Sequence, residues 1–307
     1  MTVLVPDGID AGAVWHYGDP FREQKALVAG AAAVDFSHRP VFTISGADRL
    51  TWLHAITSAN FADLVPGVPI TAYILNAQGH LQHVFGAIDD GRTLWCHTEP
   101  GRAETLIAWL RTMVFAARVE ISQPLQGYAV AIPAGSGPVV VPVDELDATL
   151  GEVRAGVWAV EAVRIAAGLP RIFLDTDERA IPNELANPEG DLLGPAVHLH
   201  KGCYPGQETV ARIYNLGRPP RRLTLLHLDG TANELPPVGA EVFSDGVVVG
   251  RMGTSERHYE SGPIGLALLK RQLPVEAPLV VAGIAAAQEL LVDPAAGLHF
   301  RPGVPRS

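Results

Sequence analysis

Closely spaced turn signals divide the C-terminal part of this 307-residue chain into short segments. After the Gly-Arg-Pro-Pro stretch at 217–220, glycines and Asp-Gly pairs recur at Asp229-Gly230, Asp245-Gly246, Gly250, Gly253 and Gly265. Short β segments separated by such turns are typical of antiparallel β structure. We therefore predict a small antiparallel β-barrel over residues 221–295, a domain boundary at 217–220, and a loose tail over residues 296–307.

The residues before this boundary mix helical and strand patterns. Asp19-Pro20 supplies an N-cap and a first-turn proline, which predicts a helix from there to about Ala33. Apolar residues at helical spacing predict further helices after Asp48 and over residues 101–116 and 157–169. Strands are predicted over 41–45, 70–75, 82–88, 93–96, 128–132 and 139–143. Periodicity alone thus indicates a mixed chain with a β-rich C-terminus.

Charge and cysteine count exclude several classes of protein. A net charge of −10 argues against non-specific nucleic-acid binding. No apolar run reaches membrane-spanning length and residues 1–10 do not resemble a signal peptide, so we expect a cytoplasmic protein. Two cysteines, Cys96 and Cys203, are too few for a disulfide framework, a structural zinc site or a cluster held by this chain alone. Cys96 ends a predicted strand, and we interpret it as structural.

The densest group of chemically active side chains is Lys201-Gly202-Cys203-Tyr204-Pro205-Gly206-Gln207-Glu208. Pro205 suits a first helical turn, and residues 206–214 are predicted to form a short helix. Cys203 would then precede the helix N-terminus, where unpaired N–H groups, the helix dipole and Lys201 favour a thiolate. A lone cysteine is more often a small buried apolar residue. The glycines, proline and charged neighbours favour an exposed loop, and the residues alone leave both interpretations open.

Basic residues are concentrated after the cysteine. The stretch carries one acid, Glu208, against five cations: Lys201, Arg212, Arg218, Arg221 and Arg222. In an acidic protein this predicts a local anion site, although isolated arginines usually form only a solvated face. His80 and His83 have no further ligand nearby, which argues against a metal site there. His198 and His200, at strand spacing before Cys203, are better candidates, but no metal is expected.

The 201–208 stretch resembles the K-G-C-Y-x-G-Q-E motif of the YgfZ family. Members of that family are folate-binding relatives of the glycine-cleavage T-protein, an aminomethyltransferase, and they assist iron–sulfur cluster assembly or repair. The resemblance continues through Val210-Ala211-Arg212 to Arg221-Arg222-Leu223. Weaker similarity extends from about residue 30 to 285, including residues 35–53, 76–83, 164–170, 175–185 and 250–268.

This resemblance implies an α+β fold. Residues 1–220 would form a T-protein-like folate-binding region of two interleaved lobes, about 1–50 with 121–220, and 51–120. Residues 221–295 would form the C-terminal antiparallel β-barrel, and the lobes would enclose a central cavity. The implied cofactor is tetrahydrofolate. The implied partners are iron–sulfur client proteins or assembly factors, with no nucleic acid and no membrane.

The resemblance also implies roles for individual residues. Cys203 would be the reactive thiol, and Lys201 would stabilise its anion. Folate contacts would come from polar and charged side chains at motif positions: His83, Arg164, Tyr204, Gln207, Glu208, Arg212 and Arg221. No metal ligand is implied.

Two positions depart from the aminomethyltransferase pattern. His83 stands where those enzymes carry an aspartate that meets the folate and is needed for methylene transfer. Ala166 stands where they carry a glutamate that holds the pterin, and Glu161 is five residues too early on the helix to replace it. We therefore favour a folate-binding accessory protein for iron–sulfur enzymes. A folate-dependent aminomethyltransferase or demethylase and a non-catalytic folate-binding module are the alternatives.

Overall fold

The computed structural model describes residues 1–185, 193, 196–216 and 218–291. Contacts divide the chain into two units, which we describe separately. The first unit comprises Met1–Ile74, Gln82–Val160 and Pro195–Pro205, and the second comprises Leu75–Leu81, Glu161–Gly194 and Gly206–Ser307. The predicted tail over 296–307 lies outside the described residues. Within the described ranges, no helix is long and apolar enough to cross a membrane.

The described secondary structure mixes strands and helices. The strands are β1 (Val3–Leu4), β2 (Val14–His16), β3 (Ala33–Asp35), β4 (Val41–Ser45), β5 (Ile70–Leu75), β6 (Leu81–Asp89), β7 (Thr93–His97), β8 (Glu120–Ile121), β9 (Tyr128–Ile132), β10 (Val139–Pro142), β11 (Arg154–Ala155), β12 (Arg221–Leu228), β13 (Glu241–Ser244), β14 (Val247–His258), β15 (Gly262–Lys270), β16 (Leu279–Val281) and β17 (Ile284–Leu290). The helices are α1 (Pro20–Val28), α2 (Arg49–Ile56), α3 (Ala103–Thr112), α4 (Leu146–Leu150), α5 (Val157–Ala166) and α6 (Gln207–Leu216), with 3₁₀ turns at Val143–Glu145 and Pro182–Glu184.

The largest core of the first unit forms on a five-stranded sheet in the order β5-β6-β7-β4-β8. The amphipathic helix α3 packs its apolar face into this core through Ala103, Leu106, Ile107 and Leu110. The predicted helix over 101–116 ends early at Thr112, and Phe115 beyond it adopts a left-handed backbone conformation with φ of 43°. Cys96 lies opposite Phe42 in the sheet and is fully buried.

A second sheet of the first unit has the order β10-β9-β3-β11. Asp19 caps α1 as expected, since its carboxylate accepts a hydrogen bond from the Arg22 N–H. The prediction that this helix continues to Ala33 is wrong. The chain leaves the helix after Val28, and residues 33–35 instead pair with β9 and β11, where Ala33 is fully buried. Strand pairing and burial therefore outweigh the helical propensity of the alanines.

The second unit contains a closed barrel with the order β12-β15-β14-β13-β16-β17, and all of its strand pairs are antiparallel. This confirms the predicted barrel. The Asp245-Gly246 pair forms the turn between β13 and β14, with positive φ at both residues. Apolar side chains that include Leu226, Met252 and Leu269 fill the interior. The barrel strands span Arg221 to Leu290.

Helices α5 and α6 carry several predicted site residues: Arg164 lies on α5, and Gln207, Glu208 and Arg212 lie on α6. The predicted helix over 157–169 ends three residues early, at Ala166, and Leu169 is 41% exposed. Helix α6 begins at Gln207, one residue after its predicted start, and reaches Leu216. The proposed lobes of residues 1–220 stay a prediction.

Candidate functional site

The 201–205 segment of the first unit combines exposed and anchored residues. Gly202 and Cys203 are exposed, whereas Tyr204 is 6% exposed. A reactive thiol needs access, and Cys203 has it, whereas Cys96 is fully buried and burial raises the pKa of its thiol well above the usual value. The structure therefore buries Cys96 and exposes Cys203, which decides between the two interpretations of Cys203 that the sequence left open.

Lys201 ties this segment to the loop after α2. Its Nζ donates to the carbonyl oxygens of Thr57 at 2.6 Å and Ala59 at 2.7 Å. The same ammonium lies 5.1 Å from the centre of the Tyr204 ring. Burial lowers the pKa of Lys201 to about 8, because the charged form loses hydration there. Two of its three donors thus hold the backbone, and its predicted action on the Cys203 anion stays a prediction.

Tyr204 contributes an apolar contact more than a polar one. Its hydroxyl is buried and has no hydrogen-bond partner among the described residues, and burial raises its pKa to about 12. Nδ1 of His198 is likewise buried and without a partner in the described part of the chain. His198 packs against His200 with ring centres 6.2 Å apart. Among the described residues, no three His, Cys, Asp or Glu side chains could hold a metal together.

His83 lies on β6 of the first unit. The centre of its ring lies 6.1 Å from the centre of the Trp109 ring. Burial, with a smaller contribution from the charge of Arg102, lowers the pKa of His83 to about 4. The imidazole is therefore neutral at physiological pH, so this position supplies neither the carboxylate of the aminomethyltransferases nor a cation.

Arg164 lies on α5, in the second unit, within a network of paired charges. Its guanidinium donates to both carboxylate oxygens of Glu161, to Asp175 Oδ2 at 2.9 Å and to Thr254 Oγ1 at 2.6 Å. Arg171 donates to Glu161 Oε1 at 3.1 Å. Burial acts to lower the pKa of Arg164, but the charges of Glu161 and Asp175 outweigh it and raise that pKa. The predicted folate contact at Arg164 would therefore compete with these partners.

Arg221 at the start of the barrel is also paired within the second unit. It donates to Asp177 at 2.6 and 3.1 Å and to Glu184 at 2.9 and 2.8 Å. Burial opposes its charge, but the hydrogen bonds to Glu184 and Asp177 outweigh burial and raise the pKa of Arg221. The geometry favours a structural role, and its predicted contact with a folate stays untested.

The remaining predicted residues lie on α6. Glu208 and Arg212 are exposed, and Gln207 is half-buried. Gly206, just before the helix, approaches the turn at Asn76 so closely that an added Cβ would lie 2.5 Å from the Asn76 carbonyl oxygen. A side chain at position 206 would collide with this turn, so the start of the helix can pack there only with glycine at this position.

Sequence reasoning missed the joint network of Glu161, Arg164, Arg171, Asp175 and Thr254. The structure connects this network to the barrel at Gly253. A Cβ at that position would lie 2.4 Å from Asp175 Oδ1, and the next residue, Thr254, donates to the same oxygen through its N–H at 2.7 Å. The acidic stretch after α5 is thereby joined to a barrel glycine far away in the chain, which no local pattern shows.

The comparisons with known proteins support the fold. No protein-family model matches the chain. A curated protein of Arabidopsis thaliana, "Putative transferase At1g60990, chloroplastic", is 25% identical over 325 residues, covering 88% of this chain and 73% of that protein. The crystal structure of glycine cleavage system aminomethyltransferase T from Bartonella henselae superposes with a TM-score of 0.74 at 14% identity, covering 98% of this chain and 96% of the other. The predicted α+β fold of the T-protein type is thereby confirmed.

Proposed function

We propose that this chain is a tetrahydrofolate-binding accessory protein for the assembly or repair of iron–sulfur enzymes, similar to the YgfZ family, and that Cys203 carries its chemistry. The observation that carries the proposal is the exposed Cys203 thiol, which follows Lys201 by two residues, while the Lys201 ammonium is tied to two backbone carbonyls. The other thiol, Cys96, is sealed in the first-unit core.

With one accessible thiol, this chain can act as a nucleophile or supply a single metal ligand. A thiolate is both a nucleophile and a metal ligand. A cluster usually needs four thiolates, and this chain has two cysteines. Cys203 would therefore act during contact with an iron–sulfur client or an assembly factor, which supplies the other ligands. A fixed attachment by Lys201 and a buried Tyr204 keeps the thiol on the surface for that contact.

The described side chains fit a folate only in part. Arg212 is exposed and could pair with a carboxylate of the glutamate tail. Ala166 offers no carboxylate to the pterin, and its side chain packs against an apolar cluster of the second unit. Glu161 and Asp175 already pair with arginines. We therefore derive no chemical step through the folate, and folate belongs to the proposal as a ligand.

A folate-dependent one-carbon transferase is the second candidate. The name of the Arabidopsis relative and the fold of aminomethyltransferase T favour it. The neutral His83 disfavours it, because an imidazole with a pKa of about 4 cannot act as a fixed negative charge at neutral pH. Turnover of tetrahydrofolate with an amine donor by the purified protein would support the transferase.

The accessory function is tested in cells that lack this protein. Iron–sulfur enzymes should lose activity, enzymes without clusters should keep theirs, and reintroducing the native gene should restore the loss. Unchanged iron–sulfur enzyme activities would contradict the proposal. If binding of tetrahydrofolate to the purified protein were then still measurable by calorimetry, a non-catalytic folate-binding module would remain.

A further inference from the structure

A cleft of about 840 Å³ opens on the barrel of the second unit. We call it the barrel cleft. It lies between the stretch that precedes β12, at Arg218, and the end of β15 with the residues that follow it, at Lys270 to Val275. All of its lining residues belong to the second unit. Its volume falls in the range of about 300–1,000 Å³ that is typical of pockets for small molecules.

The barrel cleft is lined by positive charge. Arg218, Lys270 and Arg271 all face it, and none of the described residues that line it is acidic. Lys270 Nζ donates to a neutral group, the carbonyl oxygen of Val248, at 2.7 Å. Arg218 and Lys270 are exposed. The chain as a whole carries a net charge of −10, so a cleft lined by three cations and no described acid differs from its overall charge balance.

A fourth cation lies behind the wall of the cleft. Arg222 is 1% exposed, and its guanidinium donates to the carbonyl oxygens of Lys270, Arg271 and Leu273, which are cleft residues. Its other acceptor is the amide oxygen of Gln288, at 2.8 Å. Burial lowers the pKa of Arg222, yet a guanidinium stays protonated in proteins.

The acceptors around Arg222 solvate its charge without cancelling it. All four belong to uncharged groups, and no ion pair of Arg222 occurs among the described residues. Its Nε is buried and has no acceptor in the described part of the chain. A buried charge without a counter-ion is costly. An anion in the adjoining cleft would reduce that cost.

The walls between these charges are apolar. Val249, Leu273 and Val275 line the cleft together with three prolines. We propose that the barrel cleft binds a small organic anion, in which a carboxylate or phosphate group is joined to an apolar body. The charged group meets Arg218 and Lys270, and the body rests on the valine, leucine and proline side chains. This site is independent of Cys203 and of the proposed function.

The test uses two fluorescent probes that differ in charge. 8-Anilinonaphthalene-1-sulfonate is an anion with an apolar body, and N-phenyl-1-naphthylamine is the neutral counterpart. The double variant Arg218→Gln with Lys270→Gln should weaken binding of the anionic probe by on the order of tenfold, about the loss of one charge-assisted hydrogen bond. The neutral probe should change less than about twofold. Arg251→Gln, an exposed barrel arginine that does not line the cleft, is the matched control and should change neither.

Competition on the native protein gives a second readout that needs no variant. Phenyl phosphate should displace the anionic probe at lower concentration than inorganic phosphate does, because only the former has an apolar body. Equal binding of the anionic probe by the native protein and the double variant would overturn the proposal. So would an equal loss in Arg251→Gln, or equal displacement by the two phosphates.

Discussion

Lys201 in the first unit and Arg164 in the second are both motif cations, and the structure satisfies them differently. Lys201 donates to two uncharged carbonyl oxygens, and burial lowers its pKa to about 8. Arg164 is surrounded by the carboxylates of Glu161 and Asp175, which raise its pKa. The first arrangement leaves a proton that can be lost near physiological pH, in the same short segment as the exposed Cys203. In the second arrangement, Arg164 is paired with Glu161 and Asp175, and this pairing keeps its guanidinium protonated.

This difference separates a region suited to chemistry from one suited to structure. Around Lys201 the backbone is held while Cys203 stays exposed. Around Arg164 the polar groups satisfy one another, and Asp175 is completely buried as a side chain. A motif arginine is thus no evidence of ligand binding by itself. Whether a motif cation can bind a ligand depends on the groups that it already contacts in the fold. The experiments below test this distinction between Lys201 and the two arginines.

Thiol labelling should show the largest difference. Cys96 has no exposed surface, so its alkylation requires opening of the fold, whose free energy is on the order of 5 kcal/mol or more. Cys203 should therefore react with iodoacetamide at neutral pH at least about 10³-fold faster than Cys96. Peptide mass spectrometry after timed labelling measures both rates, and preferential labelling of Cys96 would reverse the assignment.

Arg164→Ala should have the largest effect on stability. The substitution leaves Glu161 and Asp175 without their main counter-charge in a buried place, and breaking a buried pair in this way costs about 3–5 kcal/mol. Urea unfolding of the purified protein measures the change. Arg179→Ala, an exposed arginine of the same unit, is the control and should cost less than about 0.5 kcal/mol. An equal cost for both would show that the network is not structural.

Arg221→Ala should cost less, about 1–3 kcal/mol, because Arg221 and Asp177 are partly exposed while Glu184 is buried. The same variant tests the predicted folate contact. If unfolding is unchanged while binding of polyglutamylated tetrahydrofolate weakens, the arginine serves the ligand rather than the fold. Loss of stability with unchanged folate affinity is the outcome that the two carboxylate partners favour.

A further test concerns the titration of Lys201. Its pKa is about 8 in the folded protein against 10.5 for an unperturbed lysine, so the unfolded chain binds more protons between these values. The free energy of unfolding of the native protein should therefore rise, relative to Lys201→Met, as the pH goes from 7 to 10. Urea titrations at a series of pH values measure it. A difference that stays constant or falls would mean that Lys201 keeps its proton on folding.

Elements with a local sequence pattern could be predicted from the sequence alone. Turn pairs such as Asp245-Gly246 indicate the barrel, and apolar spacing in α3 indicates a helix that packs on a sheet. The ends of helices and strands were predicted less accurately. The alanines before Asp35 have helical propensity, yet strand partners far away in the chain draw residues 33–35 into a sheet.

The candidate site was predictable only in its exposed part. Glycine, proline and charged neighbours favour an exposed loop around Cys203, and the structure exposes this residue. The acceptors of Lys201 lie more than 140 residues earlier, and Arg164 meets Thr254 ninety residues later. Such pairings depend on tertiary structure, so no local pattern could show that Arg164 and Arg221 are already occupied by carboxylates.

The central claim is that the function depends on the exposed thiol of Cys203. The most direct measurement is the activity of iron–sulfur enzymes in cells lacking this protein, complemented with the native chain, Cys203→Ala or Cys96→Ala at matched protein levels. We expect the native chain and Cys96→Ala to restore activity and Cys203→Ala to leave it at the level of the deletion. Full restoration by Cys203→Ala would contradict the account.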